Sequence, residues 1–303
     1  MPNHFRPLAV CVLILAAVPL YADSTEDQAV KAVEKLGGKV VRDAKDPARP
    51  VVEVDLSETK VTDADLKELA SFKRLQTLYL RNQTAVTDAG LKEVGALKEL
   101  QALDLRDTPV TDAGLKELAS LKGLKSLGLS SQEVTDEGLK ELAPLKELQT
   151  LYLHGTKVTD AGLKELAPFK ELNNLSLNGL EGVTDAGLKE LAAMKGLEVL
   201  DLSGTKVTDA GLKELAPFKG LNTLYLEGDY VTDAGLKELA ALKGLKTLYL
   251  SITQVTDAGL NQLIALKGLK TLNLQQTKVT AAGVAALQKA LPDCEITLMY
   301  RKR

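Results

Sequence analysis

Apolar and polar positions along this chain repeat as a block. The stretch Val158-Thr159-Asp160-Ala161-Gly162-Leu163-Lys164-Glu165-Leu166-Ala167 returns almost unchanged from Val110, Val183, Val207 and Val231. Looser copies start at Val61, Val86, Val134, Val255 and Val279. Copies are spaced 24 residues apart, except for steps of 25 from Val61 to Val86 and from Val158 to Val183. A fixed period in this range is the mark of a stacked solenoid. Inside each copy, Leu163, Leu166 and Ala167 fall at helical spacing while Lys164 and Glu165 face solvent. Thr159 stands where an N-cap belongs and Asp160 enters the first turn. Pro144, Pro168 and Pro217 forbid longer helices. The pattern then changes period: in Leu148-x-x-Leu151-x-Leu153 the leucines point inward and Tyr152 outward. One unit is therefore a short helix, a turn and a short strand. Successive strands must run parallel because a helix crosses over between them.

The ends depart from the beat. Residues 23–55 carry a helical pattern from Asp27 to Leu36, a Gly37-Gly38 stop, and strand patterns at Val40-Val41 and Val51–Val54. This segment reads as a cap over the open apolar end of the array, residues 56–291. The last copy, at Val279, has a longer helix running to Leu291, and residues 292–303 supply a closing strand and a basic tail. The turn after most strands carries Thr (Thr59, Thr108, Thr156, Thr205, Thr253, Thr277), expected to bond backbone groups in a ladder. Gln132, Leu180 and Asp229 break that column, and the units with one extra residue should bulge at Gln83-Thr84 and Leu180–Gly182.

Composition adjusts the picture in a few places. Aromatics are 4% with no Trp, so the core must rest mainly on Leu, Val and Ala. Met1–Ala22 has the pattern of a secretory signal peptide: His4 and Arg6, then an apolar run from Leu8 to Val18, then small residues. An uncleaved anchor is the alternative. Cleavage would leave 37 basic against 41 acidic residues, no stable membrane span, and no basic surface for nucleic acid. Export would place the protein in a periplasm, on a cell surface or outside the cell. Cys294 would then be alone, without an internal disulfide, and reads as a buried structural thiol.

The motif Leu-x-x-Leu-x-Leu-x-x-Thr, as in Leu100–Thr108 and Leu197–Thr205, resembles the leucine-rich repeat, with Thr in the usual Asn or Cys place. Its continuation Val-Thr-Asp-Ala-Gly-Leu is similar to the cysteine-containing subtype of F-box receptors and exported bacterial proteins. The match runs from about Val51 to Met299. It implies an α/β horseshoe solenoid with a parallel concave sheet and short convex helices, to which the segment before it adds the N-terminal αββ-type cap. It also implies protein recognition on the concave side. Thr replaces the cysteine column and no F-box precedes the array, so a ubiquitin-ligase role is not carried over.

The copies can be compared with one another. The exposed helical Lys-Glu pair hardly varies, whereas the outward strand positions do. One outward column runs Tyr79, Asp104, Gly128, Tyr152, Ser176, Asp201, Tyr225, Tyr249, Asn273; two residues on, another runs Arg81, Arg106, Ser130, His154, Asn178, Ser203, Glu227, Ser251, Gln275. Four of the seven tyrosines lie in the first column, and Tyr and Arg are the types that dominate binding hot spots. The expectation is one contact patch of Tyr152, His154, Tyr225, Glu227 and Tyr249 and a second of Tyr79, Arg81, Asp104 and Arg106, with Asp201 also on the partner face. The plain alternative is that Tyr suits exposed strands.

Chemistry is sparse. His154 is the one histidine outside the leader; Ser130 and Asn178 flank it, no carboxylate stands to orient it, and a flat strand face excludes no water. The Asp column from Asp63 to Asp257 offers single carboxylates in a line, unlike the six to eight oxygens calcium gathers, and reads as dipole compensation. No catalytic, cofactor-binding or metal residue is assigned. The chain reads as a monomeric, non-catalytic module binding a protein, or a glycan, on its concave face. A structural or adhesive spacer without a discrete partner is the alternative, and a hydrolase using His154 a remote one.

Overall fold

The computed structural model describes residues 24–228 and 230–299. The leader, Asp229 and the basic tail lie outside them, so the readings made there meet no coordinates. The first helix, α1, spans Thr25–Lys35; Ser24 caps it by accepting from the Asp27 N–H (3.1 Å), and Gly37 leaves it at φ +88°. Strands β1 (Lys39–Arg42) and β2 (Val51–Asp55) then form an antiparallel pair. Arg42 ties that pair to α1 through Glu26 (2.8 Å) and Asp27 (2.6 Å). Ten parallel strands follow in chain order. They are β3 (Thr77–Tyr79), β4 (Ala102–Leu105), β5 (Ser126–Leu129), β6 (Thr150–Tyr152), β7 (Asn174–Ser176), β8 (Val199–Asp201), β9 (Thr223–Tyr225), β10 (Thr247–Tyr249), β11 (Thr271–Asn273) and β12 (Glu295–Thr297). Together they make one open sheet of twelve strands, each next to its neighbour in sequence. Strands sit about 4.8 Å apart while a helix is about 10 Å across, so the sheet takes the inner side of the curve.

The repeat sequence explains each rung. In one unit Leu148, Leu151, Leu153, Val158, Leu163, Leu166 and Phe169 are all buried, and the same ring recurs from Val51 to Leu291 as one continuous core. Leu and Val fill it, with Phe72, Phe169 and Phe218 as its largest members; among the alanines only Ala29 belongs to it. Ala167, expected on the buried helix face, is exposed. The reason is local: Ala167 is the C-cap that follows the 3-10 turn Lys164–Leu166, and the equivalent cap alanines Ala119, Ala192, Ala216 and Ala240 are not buried either. That turn shortens the α-helix, which stops at Leu163. The same shortening occurs at Asp209–Leu215, and both units carry Pro two residues after the turn. Units without Pro, such as Asp112–Leu118 and Asp233–Leu239, keep seven α-helical residues.

The Asp column does something other than offset a helix dipole. Each carboxylate crosses to the next unit, where it accepts the N–H and the hydroxyl of Thr: Asp112 from Thr135 (2.8 and 2.7 Å), Asp136 from Thr159 (2.7 and 2.8 Å). That Thr hydroxyl meanwhile accepts from its own helix, at Glu137 and Ala161. Gly of Ala-Gly-Leu leaves the space the preceding carboxylate fills; a Cβ on Gly138 would collide with Asp112 Oδ1. Thr, Asp and Gly are thus three parts of one joint, repeated at nine junctions from Asp63–Thr87 to Asp257–Thr280. Its ends follow the same logic. The first unit has no predecessor and carries Asp65 in the Gly place, whose carboxylate accepts from Thr62 (2.7 Å). The last has no successor and carries Ala281 in the Asp place.

On the other edge the Thr column behaves as expected: Thr59, Thr108, Thr156, Thr205, Thr253 and Thr277 each donate to the carbonyl three residues back (2.6–3.0 Å). In the units of 25 residues the extra residue lies in this turn. Buried Gln83 donates there to Leu56 O (2.7 Å), and Leu180 fills the inward place. Cys294 is buried, its thiol pushed upward in pKa chiefly by that burial.

Candidate functional site

Strand alternation sends every second side chain of β3–β11 away from the core, and pairing sets them side by side. Tyr79 pairs with Asp104, Asp104 with Gly128, Gly128 with Tyr152, and Tyr152 with Ser176. Asp201 then pairs with Tyr225 and Tyr225 with Tyr249. Tyr79 is 37% exposed although Leu78 and Leu80 on either side are buried, so the column is turned away from the core.

Arg106 is the hinge of this surface. It forks onto Asp104, Nε to Oδ1 at 2.9 Å and Nη2 to Oδ2 at 2.6 Å, and its guanidinium lies 5.6 Å from the centre of the Tyr152 ring. Tyr152 is two strands away. Gly128 on the strand between makes the reach possible, since a Cβ there would stand 3.0 Å from Asp104 Oδ1 and 3.3 Å from Arg106 Cγ. The fork also holds the Arg106 pKa above its ordinary value, with the Asp104 hydrogen bonds the largest cause. The two patches expected from the sequence therefore meet: Arg106 of one touches Tyr152 of the other.

The remaining expected residues fall around this contact. Arg81 pairs loosely with Asp107 (3.6 Å). His154 Nδ1 is 2.7 Å from Asn178 Oδ1. Tyr225 and Tyr249 stack with centroids 4.5 Å apart and planes 11° from parallel. Asp201 accepts from the Ser203 N–H (2.9 Å) and the Ser176 hydroxyl (3.1 Å). Glu227 has its N–H on Ser203 Oγ (3.4 Å). Burial first, then the neighbouring Tyr249, Asp201 and Glu227, push the Tyr225 phenol upward in pKa. Tyr79 is raised in the same way, by burial and then by Glu53, Asp55 and Asp104.

The face is not flat. A hollow of about 460 Å³ opens between Arg106, Tyr152, His154, Asn174, Asp201 and Tyr225. A smaller one of about 150 Å³ lies on the other side of Arg106, against Tyr79, Asp104, Gly128 and Tyr152. Asn174, Val199, Ala102 and Ser126 line these hollows and were missed by the sequence reading. They occupy the outward position two residues before the tyrosine column, which the same alternation would have reached. Asn174 also donates to the Tyr152 hydroxyl (3.4 Å).

Ser130 does not serve His154 as a nucleophile would. Its hydroxyl donates to Asp107 Oδ1 (2.8 Å) and accepts the Asp107 N–H (2.7 Å). Among the described residues no group of three or more His, Cys, Asp or Glu is placed to hold a metal ion. No described helix is long and apolar enough to cross a membrane.

Comparison with known proteins agrees with this architecture. The family model for a leucine-rich repeat region matches residues 51–298. An internalin from Listeria monocytogenes is similar in structure, with a TM-score of 0.58 and 21% identity over 82% of this chain and 73% of its own. A leucine-rich repeat protein from Leptospira interrogans gives a TM-score of 0.52 and 24% identity over 76% of this chain and 74% of its own. At these identities the likeness is one of fold. No curated protein matches the sequence significantly. With its period, its open parallel sheet and a family match over most of its length, this chain belongs to the leucine-rich repeat family.

Proposed function

We propose that the protein is a non-catalytic binding module that takes a protein partner on the outward face of its parallel sheet, and that it works outside the cytoplasm. The observation that carries this reading is the aromatic and charged lining of the central hollow, Arg106 over Tyr152 and Tyr225 on Tyr249. None of these side chains is part of the core, yet they replace the small polar residues found at the same place in other rungs. Buried aromatic and Arg anchors in a hollow are what alanine scans find at the centre of interfaces. The leader pattern at Met1–Ala22 supports export, and the protein then acts as a monomer presenting this face.

A partner recovered by cross-linking in native cells supplies the test. By surface plasmon resonance the Tyr152→Ala, Tyr225→Ala, Tyr249→Ala triple variant should bind it at least about a hundredfold more weakly, each hot-spot residue being worth about 1–2 kcal/mol or more. An unchanged melting temperature would show that the fold survives. Unchanged affinity would refute the assignment of this face.

A further inference from the structure

Arg106 shows how this face holds a guanidinium: a carboxylate takes the fork and a tyrosine ring takes the plane. The same groups come together again at the opposite wall of the hollow. Asp201 stands in register beside Tyr225, Glu227 follows two residues along, and Tyr249 supports the Tyr225 ring from behind. Here the cation is missing: among the described residues no basic side chain forms an ion pair with Asp201 or Glu227. Arg106, the nearest cation lining the hollow, is already matched by Asp104.

We propose that the Asp201 and Tyr225 wall of the hollow receives an arginine side chain from an extended segment of the partner, with the Glu227 charge two residues beyond Tyr225. The proposal rests on the reading of this face as a protein-binding surface and names the chemistry recognised there. Asp201 is pre-set for the task. Each of its oxygens accepts one bond, from Ser203 N–H and from Ser176, which fixes the carboxylate while leaving a lone pair on each oxygen. Tyr225 gives one ring face to Tyr249 and lines the hollow with the rest. A guanidinium uses both features, its fork on the carboxylate and its plane on the ring, whereas an ammonium uses only the charge. A neutral sugar would stack on the tyrosine but leave the Asp201 carboxylate without a counter-charge. At about 460 Å³ the hollow lies within the usual range of ligand pockets.

The experiment is a selection of random linear peptides on the whole protein, with subtraction on the Tyr152→Ala, Tyr225→Ala, Tyr249→Ala variant. The best peptide is then made with Arg, Lys or citrulline at its enriched position and titrated calorimetrically against wild type and Asp201→Asn. Enrichment of Arg is expected. Citrulline, which keeps the shape and loses the charge, should weaken binding about tenfold or more, and Lys should fall between. Asp201→Asn should cost the Arg peptide a similar factor and barely affect the citrulline peptide. Peptides that need the tyrosines but carry no Arg, or bind equally well with citrulline, would overturn the arginine site and leave the protein-binding face standing. Recovery of no peptide that distinguishes wild type from the triple variant would overturn both. Chito-oligosaccharide bound at these residues in place of any peptide would reassign the hollow to glycans.

Discussion

At the scale of single residues, two positions act on stability in opposite directions. The turn residue after most strands of the array adopts a positive φ, supplied by Gly155, Gly179, Gly204 and Gly228 in the middle units and by Asn82 and Asp107 nearer the start. Asn and Asp tolerate this region, but Ile252 adopts it too, at φ +60°, with a branched side chain that is 47% exposed. A left-handed Ile is strained by about 1–2 kcal/mol. Ile252→Asn should therefore raise the unfolding midpoint, read by circular dichroism melting; a lower midpoint would mean that Ile252 packs better than its exposure indicates. The second position is Asp257. The Thr280 hydroxyl and N–H hold its carboxyl below the ordinary value of 3.8. A depressed pKa stabilises the folded state above the unfolded value and is lost as pH falls through the folded one. Amides around Thr280 should thus lose hydrogen-exchange protection as pH drops below about 4, and Asp257→Asn should flatten that dependence. Equal loss in both proteins would disprove the link.

At the scale of the repeating element, the sequence was legible wherever a rule is local. The short helices, their Thr caps and the inward Leu ring follow from spacing within one copy. What a copy does for its neighbour did not follow. Asp160 looked like a dipole residue because its own helix is the only partner a local reading offers; its hydrogen bonds go to Thr184, 24 residues on. The bridge from Arg106 to Tyr152 was hidden for the same reason, since it spans two strands and depends on what Gly128 lacks. The Asp-Gly joint can be tested by a double-mutant cycle. Asp112→Ala removes two acceptor contacts from Thr135 and should cost about 1.5–3 kcal/mol. Gly138→Ala drives a methyl into that carboxylate and should cost about as much or more. The double variant should cost well under the sum, because deleting the carboxylate clears the space for the methyl. Additive costs, measured by urea unfolding, would contradict the joint.

At the scale of the whole molecule, uniform rungs make the rigid support on which a few non-uniform side chains are displayed. Stacked units contact only their neighbours, so the array holds the outward columns in fixed register without a second core. Asp65 and Ala281 end the Asp ladder at its two extremes, so the joint is closed within the chain. Sequence comparison among copies located the tyrosine columns; it did not foresee that they enclose a hollow, because depth depends on how Arg106 and Tyr225 lean across their strands. The most direct measurement is site-specific photo-cross-linking in native cells. A photoreactive phenylalanine would replace Tyr152 or Tyr225 on the sheet, or exposed Lys116 or Lys189 on the helices. Partner adducts should form from the two sheet positions and not from the helices. Adducts from Lys116 or Lys189 alone, with none from Tyr152 or Tyr225, would contradict the account.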